Sequence, residues 1–283
     1  MKKILFLILL LLAVLTFAAC SIYRDGFTEE YSLEGASKLK ITSKNGSVSV
    51  TGWENDYVQI QVNWMVEGEI DRKLQEFGRE IEVVPRREGD LLTLTVTHPP
   101  RPRFIRSVSV SIELEVPREE IEHVAVETFN GSLGFYHLQA GIAGSSSNGR
   151  ITVEDCLGEI NLKTTNGRVV LDKVRFLGTE GSVVTTNGRI EADIALPRSG
   201  DFLLRSTNGR INVLLPAWTE GIVRMETSNG DIILDEMPPV RLLRSRKNLL
   251  EVQMHEGEMM LEVKTSNGNI NLGESSSLYS VAI

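Results

Sequence analysis

Cysteine is almost absent from this chain: 283 residues contain only Cys20 and Cys156, too few for a disulfide-dense scaffold. Histidine is equally sparse, and His98, His123, His137 and His255 fall at no two-histidine metal spacing. Basic residues are outnumbered, 30 Lys+Arg against 38 Asp+Glu for a net charge of −8, which argues against nucleic acid as a partner. No phosphate-cradling glycine loop, nucleophile elbow or dinucleotide fingerprint occurs. These absences leave no expected catalytic residue, metal or cofactor. What remains, 41% hydrophobic and 24% charged, suits a folded chain with ample length for a core.

Long apolar runs are also missing, with one exception. Lys2 and Lys3 precede an almost unbroken run from Ile4 to Leu15, then Thr16-Phe17-Ala18-Ala19-Cys20. This order of charged, apolar and small residues reads as a signal peptide over 1–19. Cys20 directly after Ala-Ala resembles the lipobox of bacterial lipoproteins, with Phe17 where that motif usually has leucine. The resemblance implies that Cys20 is acylated and anchors the protein to a membrane, facing outside the cytoplasm. In a Gram-negative host Ser21 would imply the outer membrane. Removing 1–19 takes away two lysines and no acid, so the mature charge becomes −10. Cys156 sits among Glu154, Asp155 and Leu157; no cation is there to lower its pKa, so it reads as a small core hydrophobe.

One dipeptide is in excess. Asn-Gly occurs eight times, whereas 15 Asn and 24 Gly would meet by chance about once. The pairs are Asn45-Gly46, Asn130-Gly131, Asn148-Gly149, Asn166-Gly167, Asn187-Gly188, Asn208-Gly209, Asn229-Gly230 and Asn267-Gly268, and from 130 onward the steps are 18, 18, 21, 21, 21 and 38. A hydroxyl residue stands two before each Asn, from Ser43 and Thr128 through Thr265. Apolar residues stand three and five after it, as in Ile151/Val153 and Ile211/Val213. Spacing of two is the β period, so each unit reads as strand, corner, strand. Periods near 20 point to stacked repeats, and Gly with Asn at a corner suggests φ > 0. Antiparallel hairpins in a meander or sandwich are the competing reading of Asn-Gly; constant phase favours stacking, with the Asn amides in a ladder.

The expected fold is therefore all-β: a single-domain, parallel β-helix-like solenoid of 18–21-residue coils with Asn-Gly corners. Residues 20–30 read as a tether, 31–112 as an irregular β-rich part, 113–273 as regular repeats and 274–283 as a tail. Ile70, Leu74, Phe77 and Ile81 share one face of a predicted helix over 70–81, expected to cap the open end. The long step of 38 resolves into 18 and 20 if Lys247-Asn248 is a hidden corner with Asn248 in the left-handed region.

Arg150, Arg168, Arg189 and Arg210 each stand two residues after their Asn, so stacking would place four guanidiniums in one column. Glu154, Asp172, Glu191 and Asp193 share outward parity with it. The column reads either as a solvated ion-pair face or as a ladder for a polyanionic or sugar ligand. Trp53, Trp64 and Trp218 lie in or beside apolar strands and read as packing. The repeated T/S-x-N-G-x-I/V-x-L/V unit, Gly52-Trp53 closing the early unit and Val116-Pro117 resemble a bacterial β-strand-repeat family of unknown function called "putative adhesin". That resemblance spans about 31–273 and implies an extracytoplasmic β-solenoid without known catalytic residues. The favoured function is a non-enzymatic, lipid-anchored envelope protein whose partner is a cell-wall glycan or another envelope protein. The alternative is a polysaccharide lyase or hydrolase, which would need acids converging at one break in the repeat.

Overall fold

The computed structural model describes residues 21–235 and 240–277. The predicted signal segment, Cys20 and the end of the C-terminal tail lie outside the described residues. The protein is all-β, with two 12-stranded sheets and a single helix, Asp71–Gly78, among the described residues. Strands that precede an Asn-Gly pair belong to one sheet, here the upstream sheet, and strands that follow it belong to the other, the downstream sheet.

Constant phase in the sequence becomes parallel register in space. In the upstream sheet Gly141–Ser146 pairs in parallel with Ile160–Thr164, placing Ile142 beside Ile160 and Ser146 beside Thr164. In the downstream sheet Ile151 lies beside Val169 and Val153 beside Leu171. The alternate apolar residues of both sheets face each other in one core: Ile151, Val153, Ile160, Val169, Ile190, Ile211 and Val213 are all fully buried. Burying one face of each strand with few residue types works because β-branched residues fill a pleated surface well.

Chain order and stacking order differ at both ends. The N-terminal unit Lys38–Trp53 stacks directly on His123–Tyr136, with Lys38–Thr42 beside His123–Thr128 and Val48–Trp53 beside Leu133–Tyr136. The intervening residues fold outward, where Ile105–Pro117 and Tyr57–Gly68 extend the downstream sheet. Residues 21–30, read from the sequence as a tether, instead form part of the edge strand Ser21–Ser32, antiparallel to Tyr57–Gly68 along its whole length. At the other end, Glu258–Thr265 inserts between Ser199–Ser206 and Ile222–Thr227. It matches all eight residues of Ser199–Ser206, whereas Ile222–Thr227 has only six to offer.

The hidden corner at Lys247-Asn248 is not there. Arg241–Arg246 and Leu249–Gln253 form an antiparallel hairpin turning at 247–248, added outside Ile222–Thr227. Asn248 takes no left-handed φ. Its Nδ2 donates to the carbonyl of Ser228 at 3.2 Å, beside the last true corner. Two-residue turns favour antiparallel pairing of adjacent strands, and nothing downstream of Asn248 supplies the glycine that stacking needs.

The helix is shorter than the periodicity suggests and lies against Ser21–Ser32 and Tyr57–Gly68. It buries Leu74, Phe77 and Gly78. Gly78 is required by close approach, since a Cβ there would lie 2.7 Å from Trp64 Nε1 and from the Tyr23 ring.

Candidate functional site

Each corner is a repeated hydrogen-bonding unit. Asn130 Nδ2 donates to Asn45 Oδ1, Asn148 to Asn130, Asn166 to Asn148, Asn187 to Asn166, Asn208 to Asn187, Asn267 to Asn208 and Asn229 to Asn267, all at 2.7–2.9 Å. Eight exposed amides thus form one unbroken ladder whose order follows the stacking. The hydroxyl two residues earlier is buried and donates to the glycine carbonyl of the neighbouring unit. Ser146, Thr164, Thr185, Ser206, Thr265 and Thr227 do so at 2.8–3.1 Å. Ser43, in the N-terminal unit, and Thr128, which stacks on that unit, make no such bond, and the buried Oγ1 of Thr128 has no partner.

The corner glycines serve a different purpose from the one their residue type suggests. Of the eight, only Gly46 has a positive φ, 127°. At Gly149, Gly167 and Gly188 an added Cβ would instead lie 1.7–1.8 Å from the carbonyl oxygen of the glycine in the adjacent unit. Close backbone approach, not left-handed conformation, demands glycine.

An acid inside the amide ladder gives a pH-dependent prediction. In Asn187→Asp, a neutral carboxyl still donates to Asn166 Oδ1 and accepts from Asn208, but the ionised form faces Asn166 Oδ1 with no proton. Folding therefore raises this carboxyl's pKa. Stability should approach that of the wild type below the ordinary Asp value of about 3.9 and fall as pH rises through the elevated folded value. A loss of about 1–2 kcal/mol at neutral pH, read by denaturant titration at several pH values, is expected; a pH-independent difference would rule this account out.

Next to the ladder, Arg150, Arg168, Arg189 and Arg210 fall in line across successive units. Backbone bonds link the members of this column: the amides following Ser132, Arg150, Arg168 and Arg189 donate to the carbonyls of Arg150, Arg168, Arg189 and Arg210 at 2.8–3.0 Å. Adjacent guanidiniums thus leave the sheet about 4.8 Å apart. Burial, then the flanking Arg189 and Arg150, push the Arg168 pKa below its ordinary value, and its Nε is buried without a partner. Glu191 is the acid that meets the column, pairing with Arg168 and lying 3.8 Å from Arg189. Glu154, Asp172 and Asp193 lie farther along their strands and form no ion pair with it. Arg150 and Arg210 have no acidic partner among the described residues.

The other candidates are separate. Cys156 is buried, its thiol hydrogen-bonds to the Glu154 carbonyl at 3.2 Å, and burial pushes its pKa up to about 11. Trp53 packs edge-on against Tyr57 and Trp64 lies in the core, but Trp218 is 50% exposed, unlike the packing role read from the sequence. Among the described residues no cluster of three or more His, Cys, Asp or Glu could hold a metal. No helix there is long and apolar enough to cross a membrane. The hydroxyl-to-glycine bonds were missed by sequence reasoning, although the invariant two-residue offset signalled them.

Two facing, parallel-rich sheets built from an Asn-Gly repeat define a class of all-β repeat domains. The chain belongs to the Toastrack DUF4097 family, which matches residues 36–273. Among solved structures it is similar to a "putative cell adhesion protein" from Clostridium sporogenes, with 11% identity, TM-score 0.35, and 89% of this chain and 100% of that one covered. It is also similar to a "putative adhesin" from Bacteroides fragilis, at 12%, 0.43, 88% and 97% respectively. A third is a "putative lipid binding protein" from Parabacteroides distasonis, at 12%, 0.34, 88% and 96%. No curated protein matches the chain.

Proposed function

We propose that the protein is a non-enzymatic, lipid-anchored envelope protein. Its repeat is a flattened two-walled β-solenoid, and the column Arg150, Arg168, Arg189 and Arg210 binds an anionic cell-wall glycan. The observation that carries this reading is the column itself: four consecutive units of a chain with net charge −8 present stacked guanidiniums with Glu191 as their acidic partner. Regular charge spacing suits a polymer that repeats its own acid groups, because each added unit of ligand meets an identical subsite. The adjacent Asn ladder spends its amides on itself and keeps the column straight. Cys20 provides the membrane attachment, and its position just before the edge strand Ser21–Ser32 would hold the sheets close to the bilayer.

Two measurements test this. Mass spectrometry of the mature protein should find an acylated Cys20 at the N-terminus; an unmodified N-terminus elsewhere removes the anchor. Binding of the full chain to polygalacturonate should weaken at least about fourfold when all four arginines become glutamine, at roughly 0.2–1 kcal/mol per exposed charge pair, and should decline with added salt. Equal binding by wild type and variant, or equal binding to uncharged dextran, would refute the glycan site.

A further inference from the structure

The end of both sheets farthest from Ser21 carries an unusual combination. Arg241–Arg246 is the outermost strand of the upstream sheet, and all six of its residues are exposed. Leu242 is 58% exposed and Leu243 38%, while Ile233 and Leu234 on the outermost downstream strand are 43% and 39% exposed. Elsewhere among the described residues, exposed large apolar residues occur singly along the chain, as at Ile22 or Leu177. The same strand and its turn hold Arg241, Arg244, Arg246 and Lys247, with no acid from 240 to 250. None of the four forms an ion pair among the described residues, although Glu251 lies across from Arg244.

Edge protection accounts for only half of this. Cations on an edge strand discourage pairing with another sheet, and at the opposite end the edge strand Glu82–Glu88 does so with charges and Pro85. Two exposed leucines among the arginines work against that purpose. Leucine and arginine interleaved on one exposed element match a surface that is apolar just below a layer of negative charge. A soluble polyanion would satisfy the cations and leave the leucines in water. A second copy docking through the same hairpin would bring like charges together.

We propose that the hairpin Arg241–Gln253 docks on an anionic phospholipid surface, with Leu242 and Leu243 entering the headgroup boundary and the four cations lying over it. Because this end lies opposite Ser21, the contact is independent of whatever holds the N-terminus. It therefore suits a membrane other than the one that carries the chain.

The test is capture between vesicles. The full chain is held on phosphatidylcholine vesicles, and a second, fluorescent population contains either phosphatidylglycerol or phosphatidylcholine alone. Only the phosphatidylglycerol vesicles should be captured. Each cation near an anionic leaflet strengthens binding about fivefold, so Arg241→Ser/Arg244→Ser/Arg246→Ser should reduce capture by roughly a hundredfold. Leu242→Ser/Leu243→Ser should also reduce it severalfold with every charge kept. All of these side chains are exposed, so melting temperatures should not change, and circular dichroism checks that the fold persists. Equal capture of both vesicle types overturns the proposal, as does full capture by either variant. Clustering of the protein-bearing vesicles with one another would show that a second copy is the partner.

Discussion

Gly188→Val and Gly209→Val should each cost at least about 3 kcal/mol, and the pair should leave no folded protein. A Cβ at Gly188 would lie 1.8 Å from the Gly167 carbonyl oxygen, and one at Gly209 1.9 Å from that of Gly188. Neither contact can be relieved by a rotamer, because both partners are backbone. The units must separate, and separation breaks the bonds that Thr185 and Ser206 make to those same carbonyls. Overpacking usually costs 1–3 kcal/mol where side chains can yield; here they cannot. For a chain of this size the single variants should melt about 10 °C lower. Alanine at Gly188 should be nearly as damaging as valine, since the clash is with the first carbon. Gly89 is the control: its φ is 62° and an added Cβ meets nothing within 4 Å, so Gly89→Ala should cost only about 1 kcal/mol. Unchanged melting of Gly188→Ala would show that the corners do not need this close approach.

Phe135→Ala should cost about 3–5 kcal/mol. Phe135 is fully buried at the centre of the N-terminal half of the core. Opposite it, Gly144 points inward, and a Cβ there would lie 3.1 Å from the Phe135 ring and 2.9 Å from Leu162. The large ring on one sheet is thus matched by an absent side chain on the other. Removing the ring leaves a cavity that glycine cannot fill. Gly144→Ala alone should also destabilise, yet in the Phe135→Ala background it should recover part of the loss. Denaturant melts of the double-mutant cycle measure this coupling; strictly additive effects would mean the two positions do not share the space.

Periodicity made much of the fold legible. Asn-Gly phase, the hydroxyl offset and the paired apolar residues mark the strands on either side of each corner, and the parallel register of Ile151 with Val169 and of Ile142 with Ile160 follows that phase. The arginine column was visible for the same reason, because residues at one phase of a stacked repeat must fall in line. Resemblance to a β-strand-repeat family was visible too, and Toastrack DUF4097 is the family shown.

Where local and long-range preferences compete, sequence reasoning failed. Lys247-Asn248 fits the repeat by spacing, yet its flanking strands found a nearer partner in each other. Glu258–Thr265 would be the next layer by chain order, yet it lies one layer further in because an eight-residue partner was available there.

Strand content, the positions of the corners and the residues that face the core follow from the amino-acid order alone. All of these depend on a period that each unit carries within itself. The order of stacking, the inserted final unit, the exposed basic hairpin and the reason for glycine at the corners come from the three-dimensional fold. These depend on distances between residues far apart in the chain. A Gly188 backbone within contact distance of Gly167 is a relation between neighbouring units, and no single unit contains it.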